Sequence, residues 1–233
     1  SILDFLIEHK LINCIKIGSG EIGNKHFLAK CAKTKLPIIL STGLLPEQKL
    51  NDTLEFLWNE GCSKLAILHC VTSYPTEAKD ANLLRIKKFK DVFLGPVGYS
   101  DHTIGNTIPL ASIALGACIL EKHITLERNI PNAQDWKVSC DQAELISLVE
   151  DVRSIEDSMK NTNIYQNNPN VKWATKSLYA SKYIKKGESI NIDNIIAKRP
   201  NIGICVSEQE SITGLRTKKD IKKGELIKRD DLL

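Results

Sequence analysis

The stretch Val97-Gly98-Tyr99-Ser100-Asp101-His102-Thr103 decides how this chain is read. It begins as a short apolar run of strand type and ends in two hydroxyls, a carboxylate and an imidazole. The same grammar recurs on both sides of it. Upstream, Cys14-Ile15-Lys16-Ile17 stops at Gly18-Ser19-Gly20, Pro37-Ile38-Ile39-Leu40 at Ser41-Thr42-Gly43, and Leu65-Ala66-Ile67-Leu68 at His69-Cys70. Downstream, Cys118-Ile119-Leu120-Glu121-Lys122-His123 is a fifth run. Amphipathic stretches between them predict helices over Asn24–Lys35, Glu47–Glu60 with Pro46 in its first turn, Leu83–Lys90 and Thr107–Gly116. A long closing helix is predicted over Gln142–Met159. Strand starts roughly 20–30 residues apart with helices between them are the rhythm of a parallel sheet. Runs that are nearly all apolar fit strands buried on both faces.

The composition excludes several classes. The chain has 233 residues, 42% hydrophobic, 26% charged and 6% aromatic, an ordinary globular balance with enough length for a sizeable core. No run approaches the length of a membrane-spanning helix. Asp4, Glu8, His9 and Lys10 interrupt the apolar residues near the first position, so no secretory signal is expected there. Seven cysteines without a CxxC pair lead us to expect reduced thiols and a cytoplasmic setting. The net charge of +4 is unevenly spread: residues 172–233 hold 14 Lys and Arg against 8 Asp and Glu, while the first 171 residues are slightly acidic. That excess is too weak, and too poor in interleaved aromatics, to predict nucleic-acid binding.

Asn161–Asn170 (NTNIYQNNPN) reads as an Asn-rich linker. The boundaries expected are a βα domain over 1–160, a linker over 161–172 and a tail domain over 173–233. The tail repeats itself: Ile184-Lys185-Lys186-Gly187-Glu188 returns as Ile221-Lys222-Lys223-Gly224-Glu225. Both copies read as turns between strand-like pieces, which predicts a small, mostly β domain.

Chemistry-bearing side chains gather where strands end. Ser19, Glu21, Ser41, Thr42, His69, Ser100, Asp101, His102 and His123 all lie at or just past such an end, the rim where active sites sit in barrels and doubly wound sheets. His102 and His123 end consecutive strands, under 5 Å apart in a parallel sheet, so their imidazoles can share a divalent metal. They can equally be inert, hydrogen-bonded strand-end histidines. Lys16, Ser19, Ser41 and Ser100 offer one ammonium and three hydroxyls for a phosphate or carboxylate. Each serine taken alone also fits simple turn chemistry. Glu21 and Asp135 are candidates for binding sugar hydroxyls or moving protons, or are solvated loop carboxylates. His69 and Cys70 are neighbours on a strand and point to opposite faces, against a joint role. No GxGxxG or Walker sequence occurs.

These motifs together resemble the sialic acid synthase family, which includes N-acetylneuraminate, legionaminate and pseudaminate synthases. The resemblance rests on Lys16-Ile17-Gly18-Ser19-Gly20-Glu21, Ile39-Leu40-Ser41-Thr42-Gly43, His69-Cys70 with Tyr74-Pro75-Thr76, Gly98-Tyr99-Ser100-Asp101-His102-Thr103 and Glu121-Lys122-His123-Ile124-Thr125. The tail is similar to the family's antifreeze-like (SAF) domain through Ser177-Leu178-Tyr179-Ala180-Ser181, Ile184–Glu188 and Lys198-Arg199-Pro200. The resemblance implies an α/β fold: a partial TIM (β/α)8 barrel, its last five βα units, followed by a mostly β SAF domain.

It also implies a reaction. C3 of phosphoenolpyruvate attacks the open-chain aldehyde of an N-acetylated amino sugar, water adds at C2, and phosphate leaves with C–O cleavage. The sugar would be N-acetylmannosamine-like, or a 2,4-diacetamido-trideoxyhexose. Mn²⁺ or Mg²⁺ would sit on His102 and His123. Lys16, Ser19, Ser41, Thr72 and Ser100 would hold phosphoenolpyruvate. Tyr74 would stand between the substrates, with Glu21 and Asp135 on the sugar. Arg199 would reach the site of a partner subunit in a domain-swapped homodimer. The chain departs from the family pattern at Thr72, where some members have Asn, and at Asn132-Ala133-Gln134-Asp135-Trp136, where Trp136 replaces a His. Three preceding strands are missing from the pattern, so a fragment of a longer protein is expected, aggregation-prone and inactive by itself because five strands leave open edges. The other readings that remain are a pyruvate aldolase, for which no better Schiff-base lysine than Lys16 is available, and a non-catalytic module that binds a carbohydrate or a partner without metal.

Overall fold

A computed structural model describes residues 1–43, 45–133, 135–160, 168 and 170–233. The chain divides into two compact units, Ser1–Lys160 and Asn161–Leu233. In the first, five strands lie in chain order: β1 (Ile15–Ile17), β2 (Ile38–Ser41), β3 (Leu65–Cys70), β4 (Val97–Asp101) and β5 (Leu120–Lys122). All four pairings are parallel. Parallel neighbours need a crossover, and each gap holds a helix: α2 (Lys25–Lys33), α3 (Glu47–Asn59), α4 (Leu84–Val92) and α5 (Thr107–Ala114). A helix α1 (Ile2–Glu8) precedes the sheet and α6 (Gln142–Ser158) follows it.

Local chemistry sets the helix ends. Asn24 caps α2 by accepting from Phe27 N at 3.2 Å. Asp141 and Glu144 form a reciprocal capping box on α6. Pro46 takes the cap position of α3, one residue earlier than its expected place in the first turn. Helix α2 stops short of Lys35 because that residue turns left-handed, φ 62°. The sequence reading missed α1, although Ser1 and Asp4 form a capping box and Leu3, Leu6 and Ile7 share one half-buried face. Two strands run further than expected: β3 includes His69 and Cys70, and β4 includes Ser100 and Asp101.

The two faces of the sheet differ. Ile15, Ile17, Ile38, Leu40, Ile67 and Tyr99 point outward and join a buried core with the helices, which contribute Leu28, Leu57 and Phe89. The opposite face carries Lys16, Ser41, Cys70, Ser100 and Glu121, by the strand alternation and the ladder register. That face is concave. On a flat sheet β1 and β5 stand four spacings apart, roughly 19 Å, farther than a Lys and a Glu laid end to end can span. Yet Lys16 Nζ lies 3.3 Å from Glu121 Oε2. The five strands therefore curl into a half-barrel with polar groups lining its hollow.

In the second unit, β6 (Ser177–Ala180) and β7 (Ile195–Lys198) pair antiparallel. Isolated bridges such as Ile184↔Ile221 and Tyr179↔Leu226 extend the pairing. The expected mostly β domain is thus a small sheet plus single bridges. The repeat becomes a pseudo-symmetric pair of turns. Ile184 and Ile221 exchange both backbone hydrogen bonds, at 2.9 and 2.8 Å. Gly187 and Gly224 are left-handed, φ 81° and 84°. Glu188 and Glu225 each accept from the backbone N–H three residues earlier, at 3.0 and 2.9 Å. Leu178, Ile184, Ile190, Ile212, Ile221 and Ile227 form the core beneath. The linker expected over 161–172 lies mostly outside the described residues.

Candidate active site

The strands are parallel, so their C-terminal ends share one rim, and three groups of side chains meet there. The first is aromatic. Asp101↔Lys122 is the last rung between β4 and β5, so His102 and His123 leave the sheet side by side. Their ring centroids are 5.3 Å apart at 62°. Tyr74, in the loop after β3, lies 4.1 Å from the His102 ring and 5.7 Å from the His123 ring. His102 Nδ1 is 2.7 Å from the Val71 carbonyl. A carbonyl only accepts, so Nδ1 carries the hydrogen and Nε2 keeps its lone pair. Burial holds the His102 pKa below the usual imidazole value, and the neighbouring His123 adds to this. Burial also raises the Tyr74 phenol, helped by the negative charges of Asp135 and Glu121. Asp135 Oδ2 stands 3.8 Å from His123 Nδ1, behind that ring.

The second group spans the hollow. Glu121 receives a hydrogen bond from Ser100 Oγ at 2.6 Å and pairs with Lys16 at 3.3 Å. Sequence reasoning placed Lys16 and Ser100 here but gave Glu121 no role. Its signal was slight, a carboxylate beside Lys122 at the end of the Cys118–Leu120 apolar run; the register with Ser100 brings it into the hollow.

The third group is a tight cradle. Ser19 Oγ and Thr72 Oγ1 are 3.3 Å apart. A Cβ added to Gly43 would lie 2.4 Å from Thr72 Oγ1, 2.7 Å from Cys70 Sγ and 3.3 Å from Ser19 Oγ. Only glycine lets these loops approach so closely. Beside them Ser41 is buried, and its hydroxyl has no hydrogen-bond partner among the described residues. The Cys70 thiol adjoins it but is a weak partner, and burial keeps that thiol protonated. A buried hydroxyl left unpaired is costly and points to a missing group.

Glu21 and Arg199 have hydrogen-bond partners within their own units. Glu21 accepts from the Asn24 side chain at 2.9 Å, beside the start of α2. Arg199 belongs to the second unit, where its Nε donates to the Ala174 carbonyl at 3.1 Å. Gln134 lies outside the described residues. His69 is on the outer face, its Nε2 2.8 Å from the Ala81 carbonyl. Burial lowers its pKa. It is a core histidine.

Among the described residues no group of three or more His, Cys, Asp and Glu side chains is arranged to hold a metal ion. Two convergent imidazoles, one held in its neutral, ligating form, do fit a divalent ion that takes its other ligands from water or substrate. Likewise among the described residues, no helix is long and apolar enough to cross a membrane.

A half-barrel whose strand-end rim gathers imidazoles, an ammonium and hydroxyls is an enzyme-type architecture, with its chemistry where barrels keep it. The chain belongs to the NeuB family: that family's profile matches residues 2–163, and the SAF domain profile matches 175–233. It is 40% identical to the N,N'-diacetyllegionaminic acid synthase of Campylobacter jejuni over 93% of this chain and 66% of that one. It is 36% identical to the pseudaminic acid synthase of the same organism, over 93% and 63%. The crystal structure of an N-acetylneuraminic acid synthetase from Leptospira borgpetersenii superposes with TM-score 0.62 at 33% identity, covering 68% of this chain and 55% of that one. The chain thus spans less than two thirds of the length of these relatives.

Proposed function

We propose that this chain carries the metal and phosphoenolpyruvate sites of a synthase that condenses phosphoenolpyruvate with an N-acetylated amino sugar to give a nonulosonic acid and phosphate. The observation that carries the reading is the meeting of Tyr74, His102 and His123 beside the Lys16–Glu121–Ser100 group and the Ser19–Gly43–Thr72 cradle. On this reading the half-barrel corresponds to the last five βα units of an eight-stranded TIM barrel, over 1–160, joined through 161–172 to the SAF domain of 173–233.

The residues divide the work. Ser19, Ser41 and Thr72 donate to the phosphate and carboxylate oxygens, and binding gives the unpartnered Ser41 hydroxyl its acceptor. Lys16 supplies the ammonium, with Glu121 and Ser100 holding it in place. His102 and His123 would hold Mn²⁺ or Mg²⁺ through their ring nitrogens, and the chemistry supplied there would be Lewis-acid polarisation of the sugar's aldehyde oxygen. Tyr74, braced against His102, keeps the two substrates in contact at the rim. Asp135 orients His123 and offers a carboxylate to the sugar, as does Glu21. Arg199 serves the rim of a second subunit, whose guanidinium fork closes the site against water.

Relatives that match over more than nine tenths of this chain include proteins named legionaminic and pseudaminic acid synthases. This favours a 2,4-diacetamido-trideoxyhexose over N-acetylmannosamine. The test is a Mn²⁺ titration followed by electron paramagnetic resonance, on this chain and on His102→Ala, with a parallel phosphoenolpyruvate titration. Saturable Mn²⁺ binding lost in the variant supports the reading. Unchanged binding in the variant, or no phosphoenolpyruvate binding with metal present, overturns it. Turnover is then read as phosphate release over a panel of N-acetylated sugars, with the chain extended at its N-terminus by three further βα units.

A further inference from the structure

Directly behind the two imidazoles lies an ion pair that the proposed chemistry does not use. Lys122 Nζ is 2.6 Å from Asp101 Oδ2, with the two side chains 5% and 0% exposed. A pair removed from water this completely gains little net stability from its attraction, because both charges are stripped of hydration. This one is also fully hydrogen-bonded. Asp101 Oδ1 accepts from Thr103 N at 3.1 Å and Thr103 Oγ1 at 2.8 Å. Lys122 also donates to the carbonyls of Thr103 at 2.8 Å and Gly105 at 3.4 Å. The two residues are cross-strand partners on the last rung of the β4–β5 ladder. Each is followed immediately by one of the imidazoles.

Strand alternation puts Asp101 and Lys122 on the outer face, and His102 and His123 on the inner. The backbone just past the rung is tied on both sides. His102 O accepts from Thr76 N at 2.8 Å, and His123 O from Cys140 N at 2.9 Å. Beyond the rung the ladder has ended, so backbone pairing no longer fixes the distance between the strands. The pair, with the Thr103 and Gly105 carbonyls it gathers, replaces that missing pairing.

We propose that Asp101 and Lys122 are positioning residues: a buried strut that sets the separation and mutual tilt of the His102 and His123 rings. The strut is read from the geometry above. Only the identity of what the rings hold rests on the proposed function.

The test compares the parent with Asp101→Leu/Lys122→Met, an apolar pair that removes both charges together and leaves none unpaired. Three quantities are read: the Tm, the Mn²⁺ affinity, and the nuclear Overhauser effect between the two imidazoles in the metal-free protein. A lower Tm is expected, since the buried Thr103 N and Oγ1 lose their acceptor, so binding is read at a temperature where the variant is fully folded. The ring-to-ring effect should weaken and Mn²⁺ affinity should fall about 10–100-fold, as for other residues that orient ligands. Parental affinity together with a parental ring-to-ring effect overturns the strut. Should the double variant fail to fold, Lys122→Arg, which keeps the charge but alters the strut's length, supplies the same comparison: weaker Mn²⁺ binding at parental Tm supports it, and unchanged binding overturns it. The two proposals fail separately. If His102→Ala binds Mn²⁺ like the parent, the proposed function falls, and the ring-to-ring effect alone still judges the strut.

Discussion

Two buried serines show how differently the two units spend their polar groups. Ser177, at the start of β6, is wholly buried and fully occupied: its hydroxyl accepts from Ile202 N and Gly203 N, both at 2.9 Å, and donates to Asn201 Oδ1 at 3.1 Å. Ser41, at the end of β2, is nearly as buried and has no hydrogen-bond partner among the described residues. The SAF unit uses its polar atoms to close its own turns, as Glu188 and Glu225 do. The βα unit leaves some aimed at a hollow. A satisfied buried hydroxyl marks structure, and an unsatisfied one marks a place kept for something else.

That contrast can be broken by substitution. Ser177→Ala should give the largest effect, because two buried N–H groups lose their acceptor, each worth about 1–3 kcal/mol. A loss of roughly 3 kcal/mol is expected in denaturant unfolding of the SAF unit, followed by hydrogen exchange, with Mn²⁺ and phosphoenolpyruvate affinities unchanged. A variant as stable as the parent would mean that the three contacts around Ser177 carry no weight.

Gly43→Ala comes next and should act on binding. The new methyl would meet Thr72 Oγ1 and Cys70 Sγ at 2.4 and 2.7 Å, so the cradle must open. Misplacement on this scale costs up to about 100-fold where groups act together on one ligand. Calorimetric titration with phosphoenolpyruvate reads it. The sharpening control is Gly187→Ala in the SAF turn, where nothing crowds the new methyl but φ is 81°. There a stability loss of about 1–2 kcal/mol is expected, with no change in binding.

Ser41→Ala should have the opposite sign to Ser177→Ala. Removing a hydroxyl that pairs with nothing relieves its desolvation cost, so thermal stability should hold or rise by about 1 kcal/mol. Phosphoenolpyruvate affinity should fall in the same variant. A Tm that drops as far as in Ser177→Ala would show that the Ser41 hydroxyl has a structural partner.

Much of the first unit could be read from the sequence because period and punctuation agree there. Apolar runs such as Pro37–Leu40 ending at Ser41-Thr42-Gly43 declare both a strand and its end. The tail's repeat declared two turns for the same reason, since Gly187 and Gly224 mark left-handed positions. Three things were not legible. The helix α1 is seven residues long, too short for its capping box at Ser1 and its Leu3-Leu6-Ile7 face to stand out from an apolar run. The partnership of Lys16 with Glu121 depends on curvature, and curvature places residues 105 positions apart across one hollow without leaving a local pattern. The pairing of Asp101 with Lys122 depends on register, which is settled by neighbouring strands rather than by either residue. Glu21 shows the reach of a local motif: its position suggests a sugar contact, while the hydrogen bond it makes within the chain is to the Asn24 amide.

The smallest effect concerns acid. All five histidines, at positions 9, 26, 69, 102 and 123, lie in the βα unit, and the SAF unit has none. His69 is buried on the outer face with its pKa lowered by burial from the ordinary 6.5. In the unfolded chain the ring takes up a proton as pH falls through about 6.5, while the folded ring resists protonation until a lower pH. The unfolded state then binds more protons, so its population gains with acid. The contribution of neutral His69 is therefore complete above about pH 6.5 and is lost progressively as pH falls toward the lowered folded value. At pH 6 the loss is at most about 0.8 kcal/mol, fixed by the unfolded value alone. Hydrogen exchange at pH 7 and 6, corrected for intrinsic rates, should show β3 and α4 loosening while β6 and β7 do not. In His69→Asn that pH dependence should flatten in β3 and α4. An equal acid response in both units, or an unflattened one in the variant, would place the sensitivity outside His69.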